Sequence, residues 1–139
     1  AYTDGLSVDG TVFKKITVTT NSTAGNVTYS AAELIGGLIL RNPGASARSD
    51  VSPTAAQIVA AIPNAFVGVS FEFMIINTRS TAVEFTLTGG TGVTIPNSYQ
   101  NDNAAAIGGN ENGKYLAVVT NVSSGSEAVT IYPTKVSQY

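Results

Sequence analysis

Nine carboxylates and four lysines are the side chains of this 139-residue chain with the widest chemical reach. A glycosidase needs two carboxylates held a few ångströms apart. Here such a pair has to come from distant residues, Glu72 and Glu84 for instance, and each alternates with apolar neighbours as a solvent-facing strand position does. A hydroxyl nucleophile needs a base or a desolvated lysine beside it. Lys14, Lys15, Lys114 and Lys135 lie in or beside strand-like runs, with no strained turn resembling a nucleophile elbow. Histidine and cysteine are absent, which removes the commonest general base, the thiol nucleophile, the usual zinc ligands and any disulfide. The chain therefore reads as a non-enzyme with no cofactor.

Calcium is the metal that the remaining oxygen ligands could suit, through Asn101, Asp102, Asn103, Asn110 and Glu111. Their spacing matches no calcium loop, and asparagine-rich turns account for the same residues, so no metal site is assigned. Gly108–Gly109 and the glycines between Gly89 and Gly92 lack the lysine and the strand-to-helix setting of a phosphate loop. They read as turn glycines. Asn21, Asn26 and Asn121 each begin an Asn-X-Ser/Thr triplet, read as unmodified because no secretion signal accompanies them. The six tyrosines could stack on sugars or bases, but at strand and terminal positions they more often complete a core or an interface.

The elements that would carry these residues are mostly strands. Thr11–Thr20 is rich in β-branched residues and predicts a first strand, followed by turn chemistry at 21–25 and a short strand at Asn26–Tyr29. Ser30 with Glu33 forms a capping-box pattern that Gly36–Gly37 ends, so a one-turn helix is expected there, with a brief strand at Leu38–Arg41. Ser52–Pro53 predicts a second helix, Ser as N-cap and Pro as first residue, ending at Pro63–Asn64. Val67–Asn77 predicts a central strand, with Val69, Phe71, Phe73 and Ile75 on one face and Ser70, Glu72, Met74 and Ile76 on the other. Val83, Phe85 and Leu87 predict a half-buried strand hairpinned to it through Arg79–Ser80. A short strand follows at Val93–Ile95, and Tyr99–Gly113 reads as loop apart from Ala104–Ile107. Asn112–Gly113 suits a type I′ hairpin turn, and Lys114–Asn121 with Glu127–Tyr132 predict a last hairpin. The fold class expected is all-β, an antiparallel β-sandwich or jelly-roll-like domain over residues 11–139 with one or two short helices. Residues 1–10 read as an N-terminal arm, in which Tyr2, Leu6 and Val8 are isolated apolar residues wanting a partner surface.

Charge narrows the partners. Charged residues make up 12% of the chain, about half the usual share of roughly 25%. Such a surface suits packing against copies of itself or another protein. The seven basic residues are scattered and the net charge is −2, against the clustered lysine and arginine that phosphate backbones require. Nucleic acid is thus no expected partner, nor is a membrane, because the apolar runs Ala31–Leu40 and Val67–Ile76 are too short to span one. Residues 1–5 have neither the charged nor the apolar region of a secretory signal.

Three segments, Ala32–Arg41, Ser52–Ala55 and Val118–Ala128, together resemble the capsid decoration (cement) proteins of tailed bacteriophages, notably cyanobacterial phages, and related β-modules of large DNA viruses. The resemblance covers roughly Leu34 to Tyr132. It implies a β-sandwich that trimerises on the outer capsid surface and clasps subunits of the major capsid protein after head expansion. It also implies synthesis in the host cytoplasm and residence in the virion. Tyr2, Leu6, Val8 and the C-terminal Tyr139 are the candidate capsid or subunit contacts on this reading. An alternative is a carbohydrate- or receptor-binding β-module of a phage head fibre, which an exposed aromatic platform beside polar loops would mark. The absence of tryptophan counts against it, and a hydrolase with a buried carboxylate pair is weaker still.

Overall fold

Alternation of apolar and polar residues builds two sheets, and two short capped helices share their buried core. A computed structural model of the chain describes residues 9–11, 13–96 and 106–138, with side chains described as far as residue 134. Eleven elements follow in order: β1 (Thr17–Asn21), α1 (Ala31–Gly36), β2 (Gly37–Arg41), β3 (Arg48–Val51), α2 (Ala55–Ala61), β4 (Ser70–Asn77), β5 (Phe85–Thr88), β6 (Val93–Thr94), β7 (Ala106–Ile107), β8 (Glu111–Asn121) and β9 (Ala128–Gln138). One sheet has six strands in the order β1-β2-β4-β8-β9-β6, and the other has three in the order β3-β5-β7.

The mostly-β class holds, but the purely antiparallel expectation does not. β1, β2 and β4 run parallel, as do β3 with β5 and β6 with β9, while β4–β8, β8–β9 and β5–β7 are antiparallel. The physical reason is the length of the connections. α1 lies between β1 and β2, and β3 with α2 lies between β2 and β4, so each link is long enough to return the chain to the same end of the sheet.

Local capping decides both helices. Ser30 accepts from the Glu33 backbone N–H at 3.2 Å and the Glu33 carboxylate accepts from the Ser30 N–H at 2.7 Å, satisfying two otherwise orphaned donors. Gly37 at φ 99° ends α1 and immediately opens β2, a reversal that glycine makes without a Cβ penalty. The second helix starts later than Ser52–Pro53 implies. Thr54 is its N-cap, paired reciprocally with Gln57, whereas the Ser52 hydroxyl accepts from the Gly90 N–H at 2.9 Å.

The core lies between the sheets. Ile39, Phe73, Ile75, Tyr115, Ala117, Val119, Val129 and Ile131 present one face of the six-stranded sheet to Phe85, Leu87 and Ile107 of the smaller sheet and to Leu34, Ala55 and Ile58 of the helices. Phe73 and Tyr115 sit opposite each other in register and stack at 5.0 Å between ring centroids, the cross-strand pairing that stabilises sheets locally. Gly113 leaves room for that ring, since a Cβ there would come within 2.7 Å of the Tyr115 hydroxyl and of Ile107 Cδ1.

Several local expectations are corrected. The first strand begins at Thr17 rather than Thr11, and Asn26–Tyr29 contributes only a bridge from Thr28 to Val51. β4 and β5 belong to different sheets, so no hairpin joins them at Arg79–Ser80. Asn112 and Gly113 lie inside β8, paired with Ile76 and Ile75. The turn sits just before, where Asn110 takes φ 60° and the Glu111 carboxylate accepts from the Gly108 N–H at 2.7 Å. The β8–β9 hairpin across Ser123–Ser126 is as expected.

Candidate interaction surface

Arg41 and Asp50, both fully buried, form the one ion pair between described residues. Arg41 Nε donates to Asp50 Oδ2 at 2.7 Å and Nη2 donates to Oδ1 at 3.1 Å. The remaining guanidinium N–H groups donate to the carbonyls of Thr23, Asn42 and Gly25 at 2.6–2.8 Å. Asp50 also accepts from the Tyr29 hydroxyl at 2.8 Å and from the Val27 N–H at 3.1 Å. All five donors of the guanidinium and the lone pairs of the carboxylate are thereby occupied, leaving no atom to act on a substrate. Burial acts to lower the Arg41 pKa, but the hydrogen bonds and charge of Asp50 hold it above its ordinary value, so the pair stays ionic. It ties β2 of the large sheet to β3 of the small one and pins the 21–29 loop over both.

Other polar side chains are likewise engaged in holding the fold. Buried Asn77 donates to the carbonyls of Val83 and Ile107 at 2.8 and 3.0 Å, joining the end of β4 to the smaller sheet. Of the three Asn-X-Ser/Thr asparagines, Asn21 and Asn121 accept from the N–H groups of Thr23 and Ser123 in their own turns, and Asn26 accepts from the Ser49 N–H, 23 residues away. Glu72 lies on β4 of the large sheet and Glu84 precedes β5 of the small one, and both are exposed. Of the calcium candidates, Glu111 binds its own turn, Asn110 Nδ2 reaches the Ser80 carbonyl at 3.4 Å, and Asn101, Asp102 and Asn103 lie outside the described residues. Among those described, no three acidic residues cluster. Tyr2, Leu6, Val8 and Tyr139 also lie outside them.

The back of the large sheet is different in kind. Register places Val18, Leu38 and Met74 in one row and Leu40 and Ile76 in the next, with Leu116 beside Tyr132 further along. These side chains point away from the core. No described helix or strand packs on them, because both helices and the small sheet pack on the inner face. Inner-row residues such as Ile39 and Ile75 are fully buried, whereas this outer row is half-buried and Val18 is 55% exposed. The segment before β1 adds Ile16, 54% exposed, and Phe13, 90% exposed.

Where that segment meets the sheet there is a pocket of about 330 Å³. Its walls are Ile16, Leu38 and Met74, with Lys14, Lys114 and Glu72 among its charged lining. None of the three charged groups has an ion-pair partner among the described residues. The signal for this surface was present in the sequence, in the apolar Met74 and Ile76 on the face opposite Phe73 and Ile75: a strand apolar on both faces is covered on both. Nothing in the sequence tied residues 14–16 to that face, because the contact is made across three strands.

Comparison with family models, with curated proteins and with solved structures finds no match to this chain. Among the described residues no element covers this apolar face or pairs the outer edge of β1, and an exposed apolar face beside an open strand edge suits contact with another polypeptide.

Proposed function

We propose that the chain is a structural virion protein that decorates and stabilises the outer surface of an icosahedral phage capsid as a symmetric homotrimer, with the major capsid protein as its partner and no catalytic role. The observation that carries this reading is the apolar back of the six-stranded sheet, which no described element covers, with exposed Val18 in its row and exposed Ile16 beside it. The resemblance of Ala32–Arg41, Ser52–Ala55 and Val118–Ala128 to capsid decoration proteins supplies the partner. The two sheets with a shared core read as an open sandwich, and the buried Arg41–Asp50 strut between them suits a module that bears load rather than one that turns over a substrate.

The physics is simple. A protein that binds only the mature lattice stabilises it by mass action, and a trimer gains avidity by engaging several subunits at once. The head-fibre alternative has less support, since the exposed aromatics among the described residues are the phenyl rings of Phe13 and Phe66, with no tyrosine among them to combine a stacking face and a hydrogen bond.

Co-sedimentation with expanded and unexpanded heads tests the proposal. Saturable binding to expanded heads, with a raised temperature of head disruption, is the expected result. Failure to bind either form overturns it.

A further inference from the structure

We propose that the pocket on the back of the large sheet is filled by residues Tyr2–Val8 of a neighbouring copy of this chain. The inference rests on the self-association in the proposed function but not on its capsid partner. The pocket offers an aliphatic wall of Ile16, Leu38 and Met74 with two lysines and one glutamate, so an excess of one positive charge. An occupant of matching chemistry carries aliphatic side chains and a carboxylate at close spacing.

Residues 1–9 have that composition. Asp4 and Asp9 are their charged side chains, with no lysine or arginine. Tyr2, Asp4, Leu6 and Val8 share the even positions, so an extended segment presents all four on one side, successive ones roughly 7 Å apart. Leu6 or Val8 then enters the aliphatic wall while Asp4 meets Lys14 or Lys114. Met74 is the adaptable side chain in the floor. Among the described residues the flanking strand β1 is the edge of the sheet, paired on one side by β2, and offers main-chain groups along which an extended segment can align.

The absence of cysteine from the 139 residues makes a clean test possible in the intact chain. Leu6→Cys and Met74→Cys are made as two separate variants, mixed in equal amounts and oxidised mildly. The proposal predicts a disulfide-linked heterodimer on a non-reducing gel, formed at least ten-fold faster than when Ser124→Cys, in the exposed β8–β9 turn, replaces Met74→Cys. Asp4→Lys should slow the cross-link several-fold, and combining it with Lys114→Asp on the partner variant should restore the rate. No cross-link above the Ser124→Cys level overturns the proposal. So does a cross-link confined to one chain in the double Leu6→Cys/Met74→Cys variant, because it places the segment on its own copy. A trimer that forms without the cross-link overturns this occupant while leaving the self-association intact.

Discussion

Arg41 on β2 and Asp50 on β3 meet at 2.7 Å with both side chains wholly out of water, so the two sheets are joined by a two-point ion pair as well as by apolar contact. Breaking such a pair from one side leaves a buried charge uncompensated, at a cost of about 3–5 kcal/mol. Asp50→Asn and Arg41→Met should each lower stability by that order in urea denaturation. Arg41→Met with Asp50→Leu should recover part of the loss. Recovery stays partial because the carbonyls of Thr23, Gly25 and Asn42 lose their donors.

Tyr115 gives the opposite expectation. Its hydroxyl is buried and has no hydrogen-bond partner among the described residues, so it bears a desolvation cost without return. Tyr115→Phe should leave stability unchanged or raise it by about 1 kcal/mol, read from the same denaturation curves. A loss of more than that would reveal a partner for the phenol.

The same burial sets an alkaline limit. Desolvation holds the phenols of Tyr29 and Tyr115 above the ordinary tyrosine pKa, and the negative charge of Asp50 adds to it at Tyr29. Below the ordinary value, near pH 10, both phenols are protonated folded or unfolded and the fold bears no penalty. As pH rises past it the unfolded chain releases protons that the fold retains, and stability falls by up to about 1.4 kcal/mol per pH unit for each tyrosine. Urea midpoints at pH 9 and pH 11 should therefore diverge, and Tyr115→Phe should reduce the divergence.

Features fixed within a few residues were legible in the sequence, and features fixed between distant segments were not. The Ser30–Glu33 cap, the Gly37 stop, the central position of β4 and the β8–β9 hairpin follow from neighbouring side chains. Parallel pairing of β1, β2 and β4 depends on where long connections return, which no local pattern encodes. Asn112–Gly113 carried a turn signal that tertiary packing overrode: Gly113 is needed inside β8 beneath the Tyr115 ring, and Asn110 makes the turn instead. Asp50 carries no local signal, because its partners, Arg41 and Tyr29, lie 9 and 21 residues away. For the interaction surface, the apolar outer residues of β4 were visible, and their meeting with Ile16 and Lys114 was not.

Val18 offers a probe of that surface that spares the core, since it is more than half exposed on an edge strand. Val18→Lys places a charge in the apolar row with Leu38 and Met74. It should leave the far-UV circular dichroism unchanged and the unfolding free energy of the dissociated chain in urea within about 0.5 kcal/mol, while weakening self-association at least ten-fold in analytical ultracentrifugation.

The native mass of the unmodified protein, measured by light scattering from low to high micromolar concentration, tests the central claim most directly. Assembly through the back of the large sheet predicts a trimer at three times 14.2 kDa, stable in the absence of any capsid. A mass of 14.2 kDa that persists across the whole concentration range would contradict it, because the apolar back of the sheet would then mediate no self-association.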